Sequence, residues 1–246
     1  MIFQQNTIID MNSIRIIFAL LLFTQLSFSQ QTASDLLKLG KEQHEKQKIA
    51  EAIDLYLKAI SIDKNNAEAY YLLGNAQFDL GKYPEAIKQY SECVRLDPKF
   101  VSAYYNRGNS WFELQELHKA VEDFEQTLKL DSGYYDSYFD LGSTLYKLNK
   151  YKEAIISLSK GLKLQPDEGN AYYDRANCYF KLENYTLAIE DYTSAIKLNP
   201  SNYDFIYNRA LAEFNSDMND DGCRDLEQAI KLGDKEAKAV SKELCK

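Results

Sequence analysis

Histidine is almost absent from this 246-residue chain, which has two, and tryptophan occurs once. His44 and His118 lie far apart, no cysteine stands near either at metal-ligand spacing, and both read as solvated structural residues. There is no glycine-rich phosphate loop and no Gly-x-Ser-x-Gly elbow. Catalysis, a cofactor and a bound metal are therefore not expected. Basic residues are the minority, 29 against 37 acids for a net charge of −8, and no basic stripe is visible. That argues against a nucleic-acid backbone as partner, because phosphate neutralisation needs clustered Lys and Arg. The apolar run from Ile16 to Phe23 falls far short of the roughly 20 residues that span a bilayer. Strand-like alternation is missing too, so nothing competes with helix.

What the chain does have is a period of 34 residues, as "AYYLLGN" at 69–75, "AYYNRGN" at 103–109 and "AYYDRAN" at 171–177 announce. Six units follow without insertion: 33–66, 67–100, 101–134, 135–168, 169–202 and 203–236. Each contains two amphipathic stretches of helical spacing. Position eight of each unit is small: Gly40, Gly74, Gly108, Gly142, Ala176, Ala210. Position twenty holds Ala52, Ala86, Ala120, Ala154 and Ala188, and position twenty-four holds Tyr56, Tyr90, Phe124, Leu158, Tyr192 and Leu226. Small residues let two helix backbones approach while the large ones fill the space beside them. Pro98, Pro166 and Pro200 stand just past the second helix, where a missing amide hydrogen costs little, and Pro84 suits a first helical turn. The spacing predicts an all-α chain of helical hairpins, each built to be stacked upon.

This pattern of a bulky residue, Leu-Gly or Arg-Gly, then Ala, an aromatic, Ala and Pro resembles the tetratricopeptide repeat over residues 33–236. The resemblance implies an α-solenoid, a right-handed superhelix whose first helices line a concave groove that binds protein. The first and last units fit less well, as repeats that cap a stack do. Enzymes of this family carry a separate catalytic domain, and only 30–32 and 237–246 lie outside the repeats once a leader is removed.

A leader is expected from "MNSIRIIFALLLFTQLSFSQQ": a short positive start at Arg15, the apolar run, then Ser27 and Ser29 before Gln30. Residues 1–29 are read as a secretory signal with Met11 as the starting residue and Met1 as the alternative, which places the mature chain in the periplasm or outside the cell. No membrane span remains in that mature chain. Export puts cysteines in an oxidising compartment. Cys93 and Cys178 read as buried small hydrophobes, whereas Cys223 and Cys245 lie on either side of "LGD" at 232–234. If residues 237–246 form a capping helix antiparallel to the last repeat helix, these two are level and can bridge. The alternative is that Cys223 merely replaces the Ile or Val of earlier units.

An internal covariation concerns charge. Arg107, Arg175 and Arg209 occupy position seven, and sixteen residues later stand Asp123, Asp191 and Asp225. Where position seven is Leu39, Leu73 or Leu141, the matching residue is Leu55, Gln89 or Ser157. An ion pair between the two helices of a hairpin is expected, since a guanidinium fork can bind a carboxylate by two bonds. The other reading is that these arginines grip a ligand carboxylate.

Positions five, nine and twelve share one helical stripe. Tyr71, Tyr105, Phe139, Tyr173 and Tyr207 repeat at position five, and Phe78, Phe112, Tyr146, Phe180 and Phe214 at position twelve. Asn75, Asn109 and Asn177 lie between them. Rings offer contact area at low entropic cost and amides can bond an extended backbone, so the stripe suits a polypeptide. A carboxylate clamp for acidic chaperone tails is argued against: position two reads Ser34, Glu68, Ser102, Asp136, Asn170, Asp204, position six has Asp140 and Asp174, and only Lys38 has the required sign. A neutral to basic segment is expected instead. The sequence reads as a non-catalytic scaffold or adaptor, with a structural subunit of a larger envelope assembly, held through its convex face or ends, as the alternative.

Overall fold

The computed structural model describes residues 32–245, so the expected signal segment and the choice between Met1 and Met11 lie outside the described residues. The chain divides after Lys64 into two compact units. All thirteen described elements are helices, and no strand occurs among the described residues.

The first unit is one hairpin, α1 (Ala33–Glu45) and α2 (Ile49–Ile62). Its start is set by Thr32, whose Oγ1 accepts from the Asp35 amide while Asp35 Oδ2 accepts from the Thr32 amide, a reciprocal cap. Leu36, Leu37, Ala52, Tyr56 and Ala59 are buried in it.

The second unit stacks five hairpins: α3 (Ala67–Asp79) with α4 (Tyr83–Leu96), α5 (Val101–Glu113) with α6 (Leu117–Leu130), α7 (Tyr135–Lys147) with α8 (Tyr151–Leu164), α9 (Gly169–Lys181) with α10 (Tyr185–Leu198), and α11 (Tyr203–Phe214) with α12 (Asn219–Lys231). Each second helix also packs on the first helix of the following hairpin. The repeated letters explain the packing. Gly74 lies so close to the Tyr90 ring that a Cβ there would sit 2.6 Å from it. Ala86, Ala120, Ala154 and Ala188 are fully buried, as are Tyr90, Phe124, Leu158 and Leu226. Burying one such large apolar side chain contributes about 1.5–3 kcal/mol. A single hairpin cannot bury both its faces, so stability comes from neighbours.

Every hairpin turns through a left-handed residue at position fifteen: Gln47, Gly81, Gln115, Asn149, Glu183 and Asp217, with φ between 59° and 69°. Only one is glycine, so five side chains accept a conformation that costs them energy. The compensation is bonding. The Gln115 amide donates to the Phe112 carbonyl and the Glu116 amide to the Trp111 carbonyl, which satisfies the end of α5.

The final helix, α13 (Lys235–Leu244), begins two residues before the expected 237. Asp234 is the reason: its Oδ1 accepts from the amides of Glu236 and Ala237, capping the helix inside what the period assigns to the sixth unit. Cys223 and Cys245 form a disulfide with Cα atoms 5.7 Å apart, which ties α13 to α12. Closing a loop of this length contributes on the order of 3 kcal/mol in the chain-entropy account. Cys93 and Cys178 are free and buried, and burial pushes each thiol pKa up to about 12, so neither is a ready nucleophile.

Candidate functional site

The first helices of the second unit carry the aromatic stripe, and its residues are all half-buried. Their rings pack on residues at the starts of neighbouring helices: Tyr71 on Phe100, Tyr105 on Tyr134 and Tyr173 on Phe205, each with centroids 4.8 Å apart. Lower in the stripe, Phe78 meets Tyr83, Tyr146 meets Tyr151 and Phe180 meets Tyr185 at 5.3–5.4 Å. Lys147 Nζ stands 4.1 Å from the Phe112 centroid. Phe139 lies against Gly161, Phe214 against Gly222, and Tyr207 lines a separate recess near Asp234. The structure thus keeps these rings on one face, but much of each ring is spent on packing.

Two of the asparagines bond within the stack. Asn75 Oδ1 accepts from the buried Tyr90 hydroxyl at 2.8 Å and from Asn106 Nδ2 at 2.9 Å, and Asn177 Oδ1 accepts from Tyr192 at 2.6 Å. A buried phenol needs a partner, and the amide fifteen residues earlier, on the first helix of the same hairpin, supplies it. The oxygens of Asn75 and Asn177 therefore serve the stack.

Position six supplies what the sequence reading passed over. The Tyr105 hydroxyl donates to Asp140 Oδ2 at 2.7 Å, Asn208 Nδ2 donates to the Tyr173 hydroxyl at 2.9 Å, and Ser143 Oγ donates to Asp174 Oδ2 at 2.6 Å. Each bond links one hairpin to the next. The signal was present as intervals of 35 or 31 residues between polar partners, one residue longer and three shorter than the 34-residue period.

Between Tyr105, Phe139 and Ser143 a recess of ≈ 230 Å³ opens, walled by Asp136, Asp140, Asp174 and Glu168 and, among the described residues, by no Lys or Arg. Burial raises the Asp140 pKa, the Tyr105 hydrogen bond opposes this, and the charges of Asp136 and Asp174 raise it further. Burial likewise raises that of Asp174, against the Ser143 bond. Like charges gathered in a half-closed space favour either a proton or an arriving cation.

The arginines are engaged elsewhere. Arg107 gives Nε and Nη2 to the two carboxylate oxygens of Asp123, both at 2.7 Å; Arg175 does the same to Asp191, and Arg209 to Asp225 at 2.6 and 2.9 Å. Each Nη1 reaches back to the preceding hairpin, to Ser91, Ser159 and Thr193 respectively. Rings of Tyr104 and Tyr172 lie beneath two of the guanidiniums. No fork is left for a ligand carboxylate.

In the last hairpin a second acid crowds this arrangement. Glu213 is buried, its Oε1 lies 3.8 Å from Arg209 Nε, and its Oε2 finds no hydrogen-bond partner among the described residues. Burial first, then the Asp225 charge, push its pKa from 4.5 to about 7. A folded-state pKa above the unfolded value contributes stability that is complete below the unfolded pKa and is lost as pH rises through the folded one. Glu213→Gln should therefore leave the melting temperature nearly unchanged at pH 4 and raise it by about 3 °C or more at pH 8. Parallel pH profiles for the two proteins would refute this.

Among the described residues no helix is long and apolar enough to cross a membrane. The sequence matches the family model "TPR repeat" over 40–81, 74–115 and 142–183, and the model "Tetratricopeptide repeat" over 101–134 and 169–202. Among solved structures, YrrB, a TPR protein with an unusual peptide-binding site, aligns with a TM-score of 0.70 and 23% identity over 77% of this chain and 98% of its own. MamA aligns with a TM-score of 0.64 and 25% identity over 65% of this chain and 94% of its own. The C-terminal part of a TPR repeat-containing protein from Cytophaga hutchinsonii gives 0.70 and 18% identity, over 80% and 78%. No curated protein matches.

Proposed function

Because the chain belongs to the tetratricopeptide repeat family, whose members mediate contacts between proteins, we propose that it is a non-catalytic adaptor whose first-helix face binds a neutral to basic polypeptide segment. The observation that carries this reading is the recess of four carboxylates beside Tyr105 and Phe139. A Lys or Arg side chain can lay its aliphatic stem on those rings and place its charge among the acids. The neighbouring stripe of Tyr173, Asn177 and Phe180 offers contact to flanking residues. The Cys223–Cys245 bridge supports a location outside the cytoplasm, where such bonds persist.

The test uses synthetic peptides of equal length, one Lys-rich, one neutral and one Glu-rich, titrated against the full chain at low and high salt. The Lys-rich peptide should bind at least about tenfold more tightly than the Glu-rich one at low salt, and converge with it as salt screens the charges. Asp140→Asn with Asp174→Asn should remove most of that difference. Equal binding of acidic and basic peptides would overturn the charge preference. Unchanged affinity after Tyr105→Ala, Tyr173→Ala and Phe180→Ala would overturn the groove itself.

A further inference from the structure

The hairpin of α7 and α8 departs from its neighbours at several positions together. Leu141 and Ser157 stand where three other hairpins pair Arg with Asp, and Glu125 stands where Ser91, Ser159 and Thr193 receive the arginine's third bond. Ile156 departs as well, since the same position holds Asp54, Lys88, Glu122, Glu190 and Arg224 in the other units. The result is a void where a guanidinium would otherwise sit. A cavity of ≈ 420 Å³ opens between α6, α7 and α8, with Leu141 and Leu145 buried in its floor. Ile156 forms its wall and is 57% exposed. Other exposed leucines, such as Leu80, Leu114 and Leu182, recur at one position near helix ends and reflect the repeat. Ile156 recurs nowhere.

Four charges edge the cavity, Glu125 and Lys129 from α6 and Glu153 and Lys160 from α8. None of the four forms an ion pair among the described residues, although surface pairs such as Lys48–Glu51, Lys58–Asp54 and Lys119–Glu116 do form elsewhere. Lys160 lies over the Tyr138 ring, 5.9 Å from its centroid, and an apolar centre within a rim of charges outside ion pairs is the anatomy of a protein contact, in which the centre contributes the affinity and the rim selects the partner.

We propose that this cavity receives an amphipathic helix of a partner protein, which inserts one large aliphatic side chain and sets an acidic and a basic residue against the rim. The slot between two neighbouring second helices suits a helix, because side-chain ridges pack into such grooves. The balanced rim, two charges of each sign, calls for a partner of mixed sign, unlike the recess of carboxylates on the first-helix face. This docking site does not depend on the groove reading.

The probe is a short alanine-rich helical peptide with a central Leu and with Glu and Lys one turn before and after it. Fluorescence anisotropy compares it with its Leu→Ala version on three proteins: the wild type, Ile156→Glu, and the combined variant Glu125→Ser, Leu141→Arg, Ile156→Glu, Ser157→Asp. The combined variant copies Ser159, Arg175, Glu190 and Asp191 of the adjoining junction, so it should fold and melt no lower than the wild type. The wild type should bind the Leu peptide at least about tenfold more tightly than the Ala peptide, and both variants should lose that preference. Ile156→Glu alone decides the matter if the combined variant fails to fold, because the position is exposed. No binding by the wild type, equal affinity for the two peptides, or equal affinity of wild type and Ile156→Glu would overturn the proposal. So would a concentration-dependent dimer of the wild type that Ile156→Glu abolishes, since that assigns the cavity to a second copy.

Discussion

Asp191→Ala is expected to destabilise the second unit by about 3–5 kcal/mol, the cost of leaving a buried charge without its counter-ion. Arg175 is only 19% exposed, and both its Nε and Nη2 bonds go to that one carboxylate. The neutral Ser159 oxygen and the Tyr172 ring would remain, facing a full positive charge. Removing both charges is a different experiment. Arg175→Met with Asp191→Leu exchanges a desolvated ion pair for apolar contact, and such exchanges are often neutral or stabilising. Urea unfolding of the single and double variants measures the difference; equal losses would show that the pair is not what holds these helices.

Tyr192→Ala should cost a similar amount, about 3–5 kcal/mol, for another reason. The ring is 1% exposed and lies among Ala176, Ala188 and Ala212, which belong to three different helices. Truncation would open a cavity where the last two hairpins meet. Tyr192→Phe keeps the ring and should cost only about 1–3 kcal/mol, through the donor taken from Asn177 Oδ1. Because a stack is held by nearest neighbours, the Ala variant should melt in two steps, with the C-terminal part leaving first. A single sharp transition at an unchanged temperature would contradict this.

The hairpins and their order were legible because close approach of two backbones demands small residues at fixed places, and Gly74, Ala86 and Tyr90 meet that demand in plain letters. The arginine pairs were legible for a similar reason: a buried charge must find its opposite, so Arg175 and Asp191 change together. Their third partner was harder to see. Ser91, Ser159 and Thr193 lie in the preceding repeat, and a hydroxyl is too common a surface group to attract notice. The bonds that Asn75 and Asn177 accept were not legible, because a phenol's need for an acceptor appears only once Tyr90 and Tyr192 are known to point at them. Nor did composition reveal the turns. Position fifteen carries Gln, Glu, Asn or Asp in five hairpins, because the hydrogen bonds that close the helix end outweigh the preference for glycine. The carboxylate recess needed the fold, which brings Asp136, Asp140, Glu168 and Asp174 together from two hairpins and the link between them.

The three arginines also give the array a direction. Arg107, Arg175 and Arg209 each bind an oxygen of the hairpin that precedes them in the chain. During synthesis that oxygen leaves the ribosome first. Every arginine therefore emerges to find one acceptor already in place, while its own aspartate is still sixteen residues behind.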